Sequence, residues 1–192
     1  MYLESQTPSD KLLIYFHQNA EDISTAYGFA DEFRRGLGIN VLLVEYPGYS
    51  LYQGKPSEKQ IYEDAGTAME FITTILEVPL DNIIIMGRSL GSGPATYLAS
   101  KYKVKILVLV SAFTSIKSLV KDILGGLGAV LVKDAFINVE KITQVRSNTL
   151  IVHGAKDQLV KMSHAEKLQG RNSIFLVIKN RCVRREVPLL VF

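Results

Sequence analysis

Cysteine occurs once in the 192 residues, so no internal disulfide can close and no Cys-x-x-Cys metal site can form. A disulfide scaffold is excluded, and a reducing compartment is the easier setting. Proline (6) and glycine (14) are too few for a collagen-like or low-complexity chain. With 47% hydrophobic and 21% charged residues the chain is not disordered and can bury the core of one ordinary domain. No stretch reaches the ~18 apolar residues that a membrane span needs. The longest uncharged candidate, Ile123–Val132, holds ten residues between Asp122 and Lys133. It reads as a buried helix or part of a lid, with association at a membrane surface as the alternative. No basic start followed by an apolar run opens the chain, so no secretory signal is read there. A cytoplasmic protein is expected, with peripheral contact to a membrane left open.

Excess positive charge is confined to one place. The net charge of +3 comes from the final stretch, where Lys179, Arg181, Arg184 and Arg185 face only Glu186. Without these residues the basic and acidic side chains number 18 each. A nucleic-acid face spreads basic residues over an ordered surface and carries a matching motif; neither is present, so nucleic acid is not expected as a partner.

What is there is a regular alternation. Six short apolar runs recur: Leu12–Phe16, Val41–Glu45, Ile83–Met86, Ile106–Val110, Thr149–Val152 and Ile174–Ile178. They are continuous rather than alternating, as in strands buried on both faces. Helix-sized stretches separate them. The clearest runs from Lys59 to about Leu76, with Ser57 and Gln60 forming a capping box after Pro56. The fold class expected is α/β, a mostly parallel sheet with helices on both faces. The single domain covers residues 1–180, and residues 181–192 form a divergent basic tail.

Chemistry in such sheets gathers at the carboxyl ends of the strands. There stand His17-Gln18-Asn19-Ala20, Tyr46-Pro47-Gly48-Tyr49, Gly87-Arg88-Ser89-Leu90-Gly91, Ser111-Ala112-Phe113 and His153-Gly154-Ala155-Lys156-Asp157. Gly87 to Gly91 fits G-x-S-x-G between a strand and a helix, where a serine on a strained turn needs small neighbours two residues away on each side. A phosphate-binding glycine turn is the competing reading, but neither GxGxxG nor GxxxxGKS occurs. An oxyanion hole would use the backbone N–H of Leu90 and one from the first loop, Asn19 in preference to Gln18. His17 reads as a loop anchor. Asp157 can orient an imidazole and follows the serine in the order this arrangement uses; an exposed turn aspartate is the plainer alternative.

YFHQNAEDI, VEYPGYS, GRSLGSGPA, SAFTSI and LIVHGAKDQLV, in that order, resemble the serine-hydrolase branch of the α/β-hydrolase superfamily. Within it, the pattern resembles the BEM46-like group that includes the alpha/beta-hydrolase-domain-containing protein 17 thioesterases. The resemblance spans about Leu12 to Asn180. It implies a nucleophilic Ser89, an acid at Asp157, an oxyanion hole at Asn19 and Leu90, and hydrolysis of acyl esters or thioesters, protein-bound palmitoyl groups included. It places Phe113 and Leu124, with Ile123 and Leu127, in a lid segment that would wall an acyl chain, although a plain core role is equally open for each. No metal or organic cofactor is implied. The partner expected is an acyl ester or thioester, on a small molecule or an acylated protein.

Several features depart from that pattern. The family's catalytic histidine follows the last strand, whereas Asn180 here precedes Arg181-Cys182-Val183 and no histidine follows His164. His153 matches a structural histidine. His164 reads as a solvated or capping residue rather than a substitute base, and Cys182 as a packing or incidental thiol. Gln18 stands where the family has glycine. The leading strands and the final helix are missing, and the change after Asn180 is read as truncation or mis-splicing. The expectation is therefore a serine-hydrolase architecture with little activity. A non-catalytic acyl-binding module, a nucleotide-binding protein and a fragment without function are the alternatives.

Overall fold

A computed structural model describes residues 1–170 and 173–178. Its seven strands are β1 (Tyr2–Leu3), β2 (Leu12–Phe16), β3 (Asn40–Val44), β4 (Ile83–Arg88), β5 (Ile106–Val110), β6 (Asn148–Gly154) and β7 (Ser173–Ile178). They form one sheet in the order β1-β3-β2-β4-β5-β6-β7. Every neighbouring pair is parallel except β1 with β3. All six apolar runs are strands, within two residues of the expected bounds. One strand went unread: Tyr2 and Leu3 pair antiparallel with Leu42 and Val41, so a short leading strand precedes the first parallel one. Two residues carry no periodicity from which to read it.

The continuous apolar character of the runs has a direct cause. Leu12, Ile14 and Phe16 of β2 face one apolar layer, and Leu13 and Tyr15 face the other. Ile83 and Ile85 against Ile84 and Met86 do the same on β4, as do Leu107 and Leu109 against Val108 and Val110 on β5. Alternate side chains leave opposite faces of a strand, and both faces are dry here. Helices α2 (Glu58–Glu70) and α3 (Ser92–Lys101) cover the first face with Ile61, Ala65, Met69, Ala95 and Leu98. Helix α1 (Ile23–Leu37) covers the second with Ala26, Ala30 and Phe33.

Local signals set the helix ends. Asp22 caps α1 by accepting from the Ser24 and Thr25 amides, and Thr25 Oγ1 accepts from the Asp22 amide. Gly38 closes the helix at φ 58°. The box expected at α2 is only half formed. Ser57 Oγ accepts the Gln60 amide at 3.2 Å, while the Gln60 side chain donates to Asp64 at 3.0 Å rather than reaching back. α2 passes into a π-helical turn over Phe71–Ile75, so the helical stretch ends where expected. The remaining helices are α4 (Ile116–Val130), α5 (Asn138–Lys141) and α6 (Met162–Lys167). Asn180, Cys182, the tail boundary and the question of a final helix lie outside the described residues.

Truncating Ile85, wholly buried between the layers, is expected to lower the unfolding free energy by about 2–5 kcal/mol. Ile75→Ala, at a side chain 68% exposed, should stay within about 0.5 kcal/mol. Urea titrations of the two variants measure the difference.

Candidate active site

The parallel register brings the chemistry to one edge. Phe16 pairs with Gly87, Arg88 with Val110, and Val110 with Val152, so the loops after β2, β4, β5 and β6 leave the sheet together. Ser89 and Leu90 therefore lie beside the His17–Ala20 loop, while Asp157 follows the end of β6 by three residues.

Ser89 has φ +48°, a conformation that L side chains rarely adopt. The glycines around it are there for want of space. A Cβ on Gly87 would lie 2.3 Å from the Gly91 carbonyl oxygen and 2.6 Å from Ala95 Cβ. One on Gly91 would lie 2.1 Å from the Phe16 carbonyl oxygen. The strand-to-helix reversal is thus pressed onto β2 with no room for a side chain. Ser92 Oγ donates to the Ser89 carbonyl at 2.6 Å and accepts from Asn138 Nδ2 at 3.1 Å. Asn138, fully buried, also donates to the Phe113 carbonyl at 3.0 Å. One side chain from α5 thereby ties the elbow to the loop after β5. Neither Ser92 nor Asn138 was singled out from the sequence; 46 residues separate them, and only folding makes them neighbours.

The first loop is held by a carboxylate that sequence reasoning also missed. Glu45 Oε1 faces His17 Nε2 at 2.8 Å and accepts the Tyr46 amide at 3.1 Å, and Oε2 accepts the Ile23 amide at 3.1 Å. Tyr46 in turn donates its hydroxyl to the His17 carbonyl at 2.8 Å. The His17 Nδ1 lies 3.0 Å from the Gln18 carbonyl. His17 thus has the anchoring contacts expected of it. The Gln18 amide donates to Glu21 Oε2 at 3.2 Å, which occupies the alternative oxyanion donor. Asn19 is exposed, and its side-chain oxygen accepts from the Tyr49 hydroxyl. Asp157 is half-buried, and its Oδ1 accepts the Leu159 and Val160 amides, each at 3.0 Å.

All three histidine rings are engaged. His17 faces Glu45, and His153 Nε2 lies 2.7 Å from the Val160 carbonyl. His164 is not solvated, contrary to expectation: it is buried, and its Nδ1 accepts the Thr114 amide at 3.1 Å. Its Nε2 lies 3.2 Å from Asp122 Oδ2, off the line of a good hydrogen bond. Burial holds this ring below its ordinary pKa of 6.5, with the Asp122 carboxylate opposing the shift.

The two residues expected to line an acyl chain part company. Phe113 is buried in the core, and Leu124 is 69% exposed on α4. The stretch Ile123–Val132 is not a buried helix either, since Ala129 is its only buried residue. Among the described residues no helix is long and apolar enough to cross a membrane, and no three His, Cys, Asp or Glu side chains converge as a metal site.

A mostly parallel sheet with helices on both faces and a serine at a tight strand-to-helix reversal define the α/β-hydrolase fold. The chain has this fold, and its sequence is similar over its whole length to alpha/beta hydrolase domain-containing proteins. It is similar to alpha/beta hydrolase domain-containing protein 17C of Mus musculus and of Homo sapiens, 30% identical over all of this chain, which spans 56% and 54% of those proteins. Alpha/beta hydrolase domain-containing protein aho-3 of Caenorhabditis elegans is 33% identical over 83% of the chain and 47% of its own length. The chain thus spans about half the length of the curated relatives it matches. Among solved structures, an alpha-beta hydrolase from Vibrio vulnificus superposes with TM-score 0.74 at 23% identity, over 88% of this chain and 66% of that one. An alpha-beta serine hydrolase homologue from Coxiella burnetii does so with TM-score 0.71 at 16% identity, over 94% and 80%. No protein-family model matches.

Gly91→Ala should cost at least about 3 kcal/mol in a urea titration, because the backbone of β2 must move. Gly66→Ala, within α2 and with nothing in the way of a Cβ, should add about 0.5–1 kcal/mol. His164 binds its proton more weakly folded than unfolded, so its contribution is intact above about pH 6.5 and falls as pH drops through that value. His164→Asn keeps an acceptor for Thr114 and removes the titration; thermal melts between pH 5 and 7 should then show a shallower loss.

Proposed function

We propose that this edge of the sheet is the active site of a serine hydrolase of acyl esters or thioesters, with palmitoylated proteins among its substrates. Ser89 is the nucleophile, the Asn19 and Leu90 backbone N–H groups receive the oxyanion, and Asp157 orients the imidazole that such a site requires. The observation that carries the reading is the left-handed Ser89, held between Gly91, which the backbone of β2 leaves no room to replace, and Gly87, which Gly91 and Ala95 crowd in the same way. A nucleophile so placed stands clear of its own strand, beside a helix start and the first loop, where two amides can converge on a developing negative charge.

In the reaction, Ser89 Oγ attacks the acyl carbonyl and loses its proton to a base. The tetrahedral oxyanion collapses with loss of the alcohol or thiol, and water releases the acyl group from the serine. The base is what this sequence does not furnish, since His17, His153 and His164 are each bound to partners of their own. Loss of the histidine from such a triad costs about a million-fold in turnover and leaves about 10³–10⁴ over water. The chain as it stands is therefore a slow hydrolase.

A fluorophosphonate probe tests both halves of the proposal. Slow labelling that vanishes in Ser89→Ala is expected. Rapid Ser89-dependent labelling would mean that a base is supplied after all. Labelling that survives Ser89→Ala would remove the nucleophile. No labelling, combined with retained fatty-acid binding, would replace the hydrolase with an acyl-binding module.

A further inference from the structure

The ring of His17 is wholly buried, and both of its nitrogens face groups that accept hydrogen bonds. Nδ1 lies 3.0 Å from the Gln18 carbonyl oxygen, which has no proton to give, so Nδ1 must carry one. Nε2 lies 2.8 Å from Glu45 Oε1, and its state follows from that carboxyl. Glu45 takes the Tyr46 amide on Oε1 and the Ile23 amide on Oε2. Ile23 opens α1, a helix of 15 residues, so the carboxyl also sits at the positive end of a helix. Two amides and a helix start favour the ionised form, which can only accept. Nε2 then needs a proton as well.

The other polar and charged groups around the ring are committed elsewhere or suit a cation. The Tyr46 ring centroid is 4.2 Å from the imidazole, and Tyr49 meets it edge-on at 5.8 Å. Glu21 takes the Gln18 amide, and Arg88, on β4, lies over the Phe29 ring. The Met1 amino group donates to the Leu43 carbonyl and also feels the Glu45 charge. Among the described residues, Glu45 is the one carboxylate that pairs with His17.

The peptide between Gln18 and Asn19 converts this charge state into geometry. It is trans and planar, so its C=O and N–H point in opposite directions. With the Gln18 carbonyl drawn to Nδ1–H, the Asn19 N–H points away from the ring. No backbone carbonyl among the described residues takes that N–H. We propose that His17 is a positioning residue held as an imidazolium: paired with Glu45, it fixes the Gln18–Asn19 peptide so that the Asn19 N–H is presented to the oxyanion. The proposal rests on the serine-hydrolase reading of Ser89 and Asn19. A neutral ring protonated only on Nε2 would set a lone pair against the Gln18 carbonyl and release the peptide. One protonated only on Nδ1 would set a lone pair against the Glu45 carboxylate.

Two readouts on the full chain test this. In nitrogen NMR of the histidine rings at about pH 7.5, an ordinary imidazole is mostly neutral. The signals that disappear in His17→Asn should instead show protons on both nitrogens, and Glu45→Gln should turn that ring neutral. A fluorophosphonate concentration series separates the inactivation rate at Ser89 from probe binding. His17→Leu should lower that rate by about tenfold to a hundredfold and leave half-saturation within about twofold. His17→Asn, whose side-chain amide can donate to the Gln18 carbonyl as Nδ1–H does, should recover most of the loss. A wild-type His17 ring with one bare nitrogen overturns the proposal, as does an equal loss in folded His17→Leu and His17→Asn. A doubly protonated His17 that depends on Glu45, with no labelling at Ser89, upholds the ion pair and counts against the hydrolase reading alone.

Discussion

The reversal from β4 into α3 is the constraint on which the site depends. For Ser89 to stand clear of the sheet, its backbone must enter the left-handed region, and the turn carrying it must lie flat on β2. Two conditions make this possible. Gly87 and Gly91 remove the side chains that would strike Gly91 itself, Ala95 and the Phe16 carbonyl. The parallel pairing of Phe16 with Gly87 then holds the two strands in the register that brings those atoms together. Ser92 and Asn138 complete the brace by fixing the Ser89 carbonyl from a distant part of the chain. A strained residue persists only where its surroundings over-determine it, and three separate elements do so here.

Around that elbow, polar side chains spend their bonding capacity on positioning loops. Glu45 joins the ends of β2 and β3 to the start of α1 through His17, Tyr46 and Ile23. Asp157 folds its own turn through two amides, His164 ties α6 to the loop after β5, and His153 ties β6 to the loop before α6. A histidine so committed has little freedom to take a proton from a serine and hand it on, because transfer needs a ring aimed at the reacting oxygen. Among the described residues, the Ser89 elbow is therefore more firmly braced than any histidine is placed to serve it.

Helix α4 shows the opposite use of side chains. Core economy would bury Leu127 and Leu131, yet the carboxylates of the segment face inward and the leucines outward. The anchors explain how the helix tolerates this orientation. Asp122 meets buried His164 on one side, Asp134 ties back to Ser115 and Lys117 on the other, and Ala129 alone of the apolar stretch is buried.

Much of the fold was legible beforehand because burial on both faces leaves a local mark. Six strands announce themselves as unbroken apolar runs, and Gly-x-Ser-x-Gly between a run and a helix marks the elbow, although the crowding that demands Gly91 comes from Phe16 on another strand. The half-formed cap at Ser57, the two-residue β1, the burial of His164 and the bracing by Glu45 and Asn138 left no such mark. At Ser57 a local competitor won, since Gln60 donates to Asp64 one turn on; the others depend on partners brought from elsewhere, as β1 found the edge of β3 and Asn138 reached Ser92. Hydrophobic periodicity likewise says that α4 has an apolar side without saying which way it faces. Short-range sterics and strand patterning were determined by the sequence itself. Tertiary structure decided the direction of α4, the neutral burial of His164 and the company of each catalytic candidate, because those follow from packing between segments that the chain order keeps apart.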